Sequence, residues 1–438
     1  MVRTAVRLAR KSVRTMRHEG WRGFYAKARA KLFPPKAYRR SWRKPYAAEA
    51  LTLAQWLDFT PEELQRSQAT MAAHPGRLEI RTINWYLPHF EHVYYGGLHT
   101  ILRFADGFRR HHGVSSAFIV LGGATAPPTQ VYRERIAAAF PALAESPIVV
   151  RHADRDLVGV RAADACVATF WSTAYYVLKF NQTRRKFYFL QDFEPMFYPA
   201  GSISAQVEAS YRFGFYGLAN TVSLQQIYQE RYQGRAAAFE PCVDCAVFYP
   251  LPDRAREWPG RPYTVFFYAR PDYWRNGFEL GTMALRKLKQ QFGECVRIVA
   301  AGQRWKPSDY GLAGGVENLG LLSYQETAAL YRACDVGLVL MFTQHPSYLP
   351  LELMASGCLV VSNLNSATAG LLADGENCLL ALPSASCIAA TIARALQDEP
   401  LRWQIAARAL QMVHQRFADW DRQIERMYAY MCDPEGTG

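Results

Sequence analysis

The feature that most constrains the fold is a series of short apolar strands alternating with helices, interrupted once by a proline-rich segment. Five prolines lie within residues 241–262, and the alternation of strands and helices occurs on both sides of that segment. Short apolar strands separated by helices are typical of a parallel sheet that is covered on both faces. The pattern therefore predicts an α/β protein with two doubly wound domains and a ligand cleft at the carboxyl ends of the strands.

The predicted elements fall into two sets. The first set has strands at 78–87, 116–121, 148–151, 163–169, 186–190 and 218–223, and helices at 98–111 and 132–139. The second set has strands at 264–269, 296–301, 336–341 and 358–362, and helices at 277–291, 324–333, 349–356 and 384–397. A length of 438 residues suits two domains of about 150–200 residues each. We therefore divide the chain into a basic helical extension with a connector (1–78), two Rossmann-like domains (79–250 and 251–420) and a C-terminal helix with a tail (421–438).

The positive charge of the chain is concentrated in its N-terminal segment. Residues 1–45 contain fifteen Lys and Arg and one acid, Glu19, whereas the rest of the chain has 36 basic and 37 acidic residues. Apolar residues recur among these cations at helical spacing, which predicts a basic amphipathic helix. Such a helix suits the anionic inner leaflet of a membrane, and packing on the protein body or on another subunit is the alternative. No nucleic-acid recognition motif accompanies the charge, so we expect no nucleic-acid partner.

Location and redox state follow from simpler features. No apolar run reaches the ~20 residues that span a bilayer, and the N-terminus lacks the apolar core of a signal peptide. We therefore expect a cytoplasmic protein, or one held at the inner face of the cytoplasmic membrane by residues 1–45. The nine cysteines lack framework spacing and are expected to be reduced thiols. The single pair Cys242 and Cys245 lacks the further ligands of a zinc site.

The richest candidate site follows the strand predicted to end at residue 341. The segment Thr343-Gln-His-Pro-Ser-Tyr-Leu-Pro-Leu-Glu352 opens a helix, and a helix N-terminus presents backbone N–H groups to an anion. Glu352 lies in the first turn, where its carboxylate can accept hydrogen bonds from ribose hydroxyls. An ordinary first-turn acid favoured by the helix dipole is the alternative. The candidate ligand-binding residues of this segment are Gln344, Ser347, Tyr348, Leu349, Pro350, Leu351 and Glu352.

Two further loops carry groups suited to phosphate. Arg270 and Arg275 follow the first strand of the second set, where a fixed guanidinium can neutralise a diphosphate leaving group. Solvated loop arginines are the alternative. Gly96 and Gly97 lie between the first strand of the chain and its helix, and glycines there let the backbone approach a phosphate closely. A tight turn explains them equally well.

Paired acids follow a strand of the first set. Asp192 and Glu194 lie two residues apart in Phe189-Leu-Gln-Asp-Phe-Glu-Pro195, where carboxylates can face a sugar hydroxyl or a cationic transition state. Solvated turn acids are the alternative. Asp154-Arg-Asp156 has the Asp-x-Asp form of some divalent-metal sites, but it lies in a loop apart from the other candidate segments. We therefore predict no metal there.

Several blocks of the chain carry a family resemblance. Residues 318–335, Pro350-Leu-Glu-Leu-Met-Ala-Ser-Gly357, Ala373-Asp-Gly-Glu-Asn-Cys-Leu-Leu380 and the segment 240–250 resemble, in order and spacing, the retaining glycosyltransferases of family 4, which have the GT-B fold. In the first half, Ile83-Asn-Trp-Tyr-Leu-Pro-His, Tyr95-Gly-Gly and Gln191-Asp-Phe-Glu-Pro-Met-Phe-Tyr-Pro199 resemble the WsaF-type rhamnosyltransferases.

The resemblance implies a function. It implies transfer of L-rhamnose from dTDP-rhamnose onto a growing bacterial surface polysaccharide or O-antigen, with a glycan acceptor on a lipid and no metal cofactor. The first domain would face the acceptor and the second would bind the donor. Other hypotheses remain open: a GT-B enzyme with a GDP- or UDP-linked donor, and a non-catalytic scaffold for polysaccharide assembly.

The resemblance also implies roles for individual residues. Glu352 would hold the donor ribose, and Arg270 and Arg275 would bind the diphosphate, with the backbone of residues 349–351 and of Gly96 and Gly97 beside it. The implied catalytic residues are Asp192, Glu194 and Arg270. Two positions depart from the family pattern: Gln344 replaces a glutamate, and Arg275-Asn276 replaces a lysine. The amide suggests a different contact with the sugar hydroxyls, as a deoxy sugar would require.

Overall fold

The structure is a computed structural model that describes residues 46–94, 96–122, 126–152, 157, 159–251, 262–345 and 347–436. The predicted basic helix within 1–45, the Asp154-Arg-Asp156 motif and residues 252–261 of the proline-rich segment lie outside these ranges. Within them, no helix combines enough length with enough apolarity to span a lipid bilayer.

The first half of the chain forms a seven-stranded parallel sheet. Its strands are β1 (Thr82–Pro88), β2 (Ser115–Gly122), β3 (Ile148–His152), β4 (Ala163–Ala168), β5 (Thr183–Leu190), β6 (Tyr216–Asn220) and β7 (Ala236–Phe239). The order across the sheet is β3-β2-β1-β4-β5-β6-β7, so the direction of winding reverses between β1 and β4. Ligands of doubly wound sheets bind at such a reversal, outside the carboxyl ends of the strands.

Helices cover both faces of this sheet. They are α1 (Tyr46–Trp56), α2 (Pro61–Ala72), α3 (Gly96–His112), α4 (Thr129–Ala139), α5 (Trp171–Lys179), α6 (Ser202–Ser210) and α7 (Val222–Tyr232). Strand β1 is buried on both sides: Trp85 and Leu87 pack into one core with α3 and α4, and Tyr86 packs into the other with α5. A strand with two buried faces reads as an apolar run, which explains why the sequence pattern locates it.

The second half repeats the architecture with six parallel strands. They are β8 (Tyr263–Ala269), β9 (Val296–Gly302), β10 (Glu317–Gly320), β11 (Val336–Leu338), β12 (Leu359–Asn363) and β13 (Leu379–Ala381), in the order β10-β9-β8-β11-β12-β13. The helices are α8 (Phe278–Phe292), α9 (Tyr324–Ala333), α10 (Leu349–Ala355), α11 (Ala385–Gln397) and α12 (Glu399–Arg416). The two parallel, helix-covered sheets confirm the predicted α/β fold class.

Strand β11 ends three residues earlier than predicted, because the backbone leaves the sheet after Leu338. The N–H group of Met341 donates to the side-chain Oδ1 of Asn363 at 2.7 Å, and Asn363 Nδ2 returns a hydrogen bond to the Met341 carbonyl at 2.9 Å. A side-chain amide thus replaces the strand ladder at this point. The chain is thereby directed into the loop that carries Thr343.

The last helix, α13 (Trp420–Cys432), packs against the first sheet unit. Ile424, Met427 and Met431 are buried in the same apolar core as α3. The buried guanidinium of Arg185 on β5 donates to the carbonyl oxygens of Met431 and Cys432 at 2.8 and 2.6 Å. The C-terminal helix is therefore a structural part of the first sheet unit, although the sequence places it after the second.

Candidate active site

Loops from the two sheet units meet at Asp192. The Asp192 carboxylate follows β5, and its Oδ2 atom lies 3.7 Å from Nε of Arg275, which follows β8. The hydroxyl of Thr343, in the loop after β11, lies 3.3 Å from the same oxygen. The structure therefore brings together three of the segments that the sequence singles out. Since both sheets present the carboxyl ends of strands here, this junction lies where the sequence predicts the ligand site.

Burial controls the charge of Asp192. Removal from water raises the pKa of its carboxyl to about 6, while the Arg275 guanidinium and hydrogen bonds from the Phe193 N–H and Thr343 act in the opposite direction. The carboxyl is consequently ionised at neutral pH. An ionised carboxylate in a site shielded from water can stabilise developing positive charge or orient a hydroxyl.

Glu194 does not share this position. Its carboxylate accepts hydrogen bonds from the Trp171 N–H at 2.7 Å and from the Tyr188 hydroxyl at 3.0 Å, inside the first sheet unit. A 3₁₀ turn over Glu194–Phe197 directs the side chain inward, where it caps the first residue of α5. Burial raises the pKa of Glu194 to about 8. The two acids predicted as a pair are thus separated, because the turn after Asp192 reverses their directions.

Arg270 and Arg275 both lie close to one aromatic ring. The guanidinium carbon of Arg270 lies 3.5 Å from the centroid of the Tyr273 ring, and that of Arg275 lies 5.3 Å from it. Arg275 also lies 4.2 Å from the ring centroid of Phe197, which belongs to the first sheet unit. Stacking on aromatic rings restricts the orientation of a guanidinium plane, so the N–H groups of both arginines are oriented before a ligand binds.

Glu352 occupies the first turn of α10, as predicted. Its side chain is half-buried, and removal from water raises the pKa of its carboxyl to about 8. Among the described residues no hydrogen bond or ion pair is formed by this carboxyl group. The neighbouring Leu351 and Leu353 are buried in the core of the second unit and fix the helix in place. Glu352 is therefore an acid on a firmly packed helix, and its carboxyl group forms no hydrogen bond within the part of the chain that the structure describes.

Tyr348 and Ser347 organise the entrance to α10. The Tyr348 hydroxyl accepts a hydrogen bond from Asn220 Nδ2 at 3.0 Å, and its ring stacks on Trp420 with 6.3 Å between centroids. These contacts join α10 to the first sheet unit and to α13. Ser347 has a left-handed φ of 67°, which is uncommon for a residue with a side chain. Leu349 and Pro350 continue the same entrance, with proline at a position that needs no N–H donor.

The two glycines that begin α3 also lie at this junction. A Cβ atom on Gly97 would lie 3.2 Å from Gln191 Nε2, and one on Gly96 would lie 3.8 Å from Cδ2 of Tyr348. Gly97 therefore leaves room for the Gln191 side chain beside Asp192. Gln344, by contrast, lies toward the first unit, with its Nε2 4.0 Å from Sδ of Met196.

The sequence reasoning missed three polar residues of this junction, namely Gln191, Thr343 and His345. Oε1 of Gln191 and Nε2 of His345 are buried without a partner among the described residues. All three lie inside the motifs that the sequence singles out, but residue type alone does not distinguish them from structural polar residues. In the described ranges no group of three or more His, Cys, Asp or Glu is arranged as a metal site, and a metal-free reaction stays a prediction.

Comparison with known protein families identifies the chain. Sequence profiles of the WsaF N-terminal domain and the WsaF C-terminal domain match residues 82–219 and 263–393, which together make up more than half of the chain. The chain belongs to the WsaF family. Each matched range falls within one of the two sheet units, and the Asp192–Arg275 contact joins one range to the other.

Individual relatives of this WsaF-family protein agree with that assignment. The O-antigen biosynthesis protein RfbC of Myxococcus xanthus is 42% identical over 380 residues, which are 86% of this chain and 29% of RfbC. A phosphatidyl-myo-inositol mannosyltransferase of Mycolicibacterium smegmatis is 31% identical over 204 residues, or 42% of this chain and 50% of that protein. The chain thus spans half or less of the length of these two relatives.

Solved structures show the same GT-B fold. Anabaena HepE, in complex with UDP and glucose, has a TM-score of 0.60 and 19% identity, covering 80% of this chain and 98% of HepE. WaaG, a glycosyltransferase involved in lipopolysaccharide biosynthesis, has a TM-score of 0.56 and 16% identity, covering 82% of this chain and all of WaaG. At these identities the likeness establishes the fold, and the WsaF-family protein therefore has the GT-B architecture.

Proposed function

We propose that this WsaF-family protein is a glycosyltransferase that acts in the assembly of a bacterial surface polysaccharide or O-antigen. The observation that carries the proposal is the junction of Asp192, Arg275 and Thr343 between the two units, with the unpartnered Glu352 carboxyl on α10 of the second unit. An ordered pair of guanidiniums together with a desolvated acid matches the chemistry of a nucleotide-diphosphate sugar. The relation to RfbC supports the polysaccharide context.

The donor is dTDP-rhamnose in this proposal. The departure at Gln344 supports a deoxy sugar, because an amide replaces a charged partner of the sugar hydroxyls. A UDP-linked donor is the second candidate, since HepE, which shares the fold, binds UDP and glucose. Glu352 would accept hydrogen bonds from the ribose hydroxyls of either nucleotide, while Arg270 and Arg275 would bind the diphosphate.

The proposed reaction retains the anomeric configuration. The bond between the anomeric carbon and the β-phosphate oxygen breaks, and the acceptor hydroxyl oxygen bonds to that carbon on the same face. The departing phosphate takes the hydroxyl proton. Arg270 and Arg275 stabilise the negative charge that develops on the diphosphate, and Asp192 stabilises the positive charge on the sugar ring. No step requires a metal ion.

The acceptor is a lipid-linked glycan at the cytoplasmic face of the membrane in this proposal, and residues 1–45 supply the membrane contact. Fifteen cations near an anionic surface would each contribute about 1 kcal/mol at most. Flotation with vesicles that contain anionic lipid, compared for the full chain and a chain lacking residues 1–45, tests this part. Equal flotation of both would contradict it.

The function itself is tested by incubating the full-length protein with dTDP-rhamnose or UDP-glucose and a lipid-linked glycan fraction. Transfer is measured as extension of the glycan, and the configuration of the new linkage is read by NMR. We expect transfer by the wild type and by Asp309→Asn, which changes an exposed acid, and loss of transfer in Asp192→Asn. Transfer that is undiminished in Asp192→Asn would refute the assigned role of Asp192.

A further inference from the structure

His345 lies buried in the loop between β11 and α10, with 6% of its surface exposed. Its Nδ1 atom accepts a hydrogen bond from the Ser347 N–H at 3.0 Å. Its other ring nitrogen, Nε2, is buried and has no hydrogen-bond partner among the described residues. Buried polar atoms are nearly always paired in folded proteins, so an unpaired one close to Arg275 and to the Thr343–Asp192 contact is a candidate for pairing with a ligand.

The contact with Ser347 determines what Nε2 can do. A backbone N–H only donates, so Nδ1 must carry the lone pair, and the neutral ring must carry its hydrogen on Nε2. Burial, with the nearby Arg275 charge, lowers the pKa of His345 to about 3. The ring is therefore neutral at physiological pH and presents one N–H donor of fixed identity.

The backbone around the ring is held firmly. The carbonyl of His345 accepts from the Thr343 hydroxyl at 3.3 Å, and that hydroxyl also lies 3.3 Å from the Asp192 carboxylate. Ser347 adopts its left-handed φ of 67° while its N–H fixes the ring. A strained residue that positions a side chain is typical of ligand-binding sites.

We propose that the Nε2–H group of His345 donates a hydrogen bond to a hydroxyl oxygen of the transferred sugar and so helps to select the donor. This inference rests on the proposed function, since it assumes a nucleotide-sugar ligand in the cleft. The charged partners of the diphosphate are already present in Arg270 and Arg275. A neutral N–H donor adds little binding energy to a phosphate that already has two guanidiniums. It is well suited to a neutral sugar hydroxyl, whose oxygen accepts this hydrogen bond while its own hydrogen is donated to another group.

The test separates the sugar from the nucleotide. His345→Asn keeps a short side-chain acceptor for the Ser347 N–H but cannot reach the position of Nε2. His414→Asn is the matched control, because it makes the same change at an exposed histidine on α12, outside this loop. Dissociation constants of the full-length wild type and of both variants are measured by calorimetry for dTDP and dTDP-rhamnose, and for UDP and UDP-glucose.

We expect His345→Asn to weaken binding of the preferred nucleotide sugar by about tenfold or more and to change binding of the matching nucleoside diphosphate less than about twofold. His414→Asn should leave both constants unchanged. If His345→Asn weakens binding of the nucleotide sugar and of the nucleoside diphosphate equally, His345 contacts the phosphate or only supports the loop, and the inference is wrong. Unaltered binding of both compounds would also overturn it. If the wild type binds none of the four compounds, the proposed function itself fails.

Discussion

The carboxylate of Asp192 lies 3.7 Å from the guanidinium of Arg275, although the two residues follow strands of different sheets. Asp192 follows β5 in the seven-stranded sheet, and Arg275 follows β8 in the six-stranded sheet. Each residue belongs to a recognisable motif, but only the docking of the two units creates the pair. The contact marks where donor chemistry and acceptor chemistry meet in the proposed reaction.

The first prediction concerns the pH dependence of transfer. Because burial raises the pKa of Asp192 to about 6, the carboxylate is ionised above that pH and protonated below it. We expect kcat/KM of the wild type to fall as pH decreases through about 6. Asp192→Asn should lower the rate by about 10²–10⁴-fold and abolish this acidic limb. The range from pH 5 to pH 7 covers roughly one unit on either side of this pKa. If kcat/KM of the wild type is constant across it, the ionised form of Asp192 is not required.

The second prediction concerns the cost of keeping Glu352 unpartnered. Its pKa is raised from 4.5 to about 8, so the folded state holds the proton more tightly than the unfolded state between those values. By linkage, this group lowers the free energy of unfolding as pH rises through that interval. Glu352→Gln without nucleotide should therefore be at least as stable as the wild type at pH 8, measured by urea unfolding. A clear loss of stability at pH 8 would show that the carboxylate has a structural partner.

The third prediction concerns the docking of α13. Arg185 has only 2% of its surface exposed and donates to the carbonyls of Met431 and Cys432. Arg185→Met would remove this donor from the Met431 carbonyl and leave the Cys432 carbonyl with the Leu78 N–H group, which lies 2.7 Å away. We expect a cost of about 1–3 kcal/mol in unfolding free energy. Arg184→Met is the control, because the neighbouring Arg184 is half-exposed and makes only a surface ion pair with Asp164 at 3.5 Å, worth under about 1 kcal/mol. Similar losses in both variants, measured by denaturant unfolding, would refute the assignment.

The fourth prediction concerns a buried lysine. Nζ of Lys186 donates to Ser67, to the Leu178 carbonyl and to Asn181, and burial lowers the pKa of Lys186 from 10.5 to about 7. The unfolded state binds more protons than the folded state between these values, so this group makes stability rise with pH from about 7 toward 10.5. Lys186→Met should reduce that rise when urea unfolding is compared at several pH values. An identical pH dependence in the variant would contradict the account.

Much of the fold was predictable because its strands are apolar runs with two buried faces. The predicted helix 324–333 agrees to the residue with α9, and most predicted strands agree with the structure within a few residues. Strands β7, β10 and β13 were not predicted. Three of the four residues of β7 are alanines with a weak strand signal, and β10 and β13 have only four and three residues. Helices α5, α6 and α7 were also missed, because their periodicity is obscured by aromatic and polar residues that find partners only in the folded core.

The candidate site was predictable as a set of segments and not as a geometry. The position of Glu352 in the first turn of a helix follows from local sequence, and the structure confirms it. The direction of the Glu194 side chain does not follow from local sequence. It depends on a 3₁₀ turn and on hydrogen bonds donated by Trp171 of α5 and Tyr188 of β5. The absence of a partner for His345 Nε2 among the described residues can likewise be recognised only from the three-dimensional positions of its neighbours.

The most direct test of the central claim is thermal stabilisation of the wild type and of Glu352→Ala by dTDP, dTDP-rhamnose, UDP, UDP-glucose and GDP. A ligand present at about 100 times its dissociation constant stabilises the folded state by about 2.7 kcal/mol. We predict stabilisation of the wild type by the dTDP compounds, most strongly by dTDP-rhamnose, and its loss in Glu352→Ala. Preference for UDP or GDP compounds would change the proposed donor and leave the proposed binding site in place. No stabilisation by any nucleotide would contradict the proposed function itself.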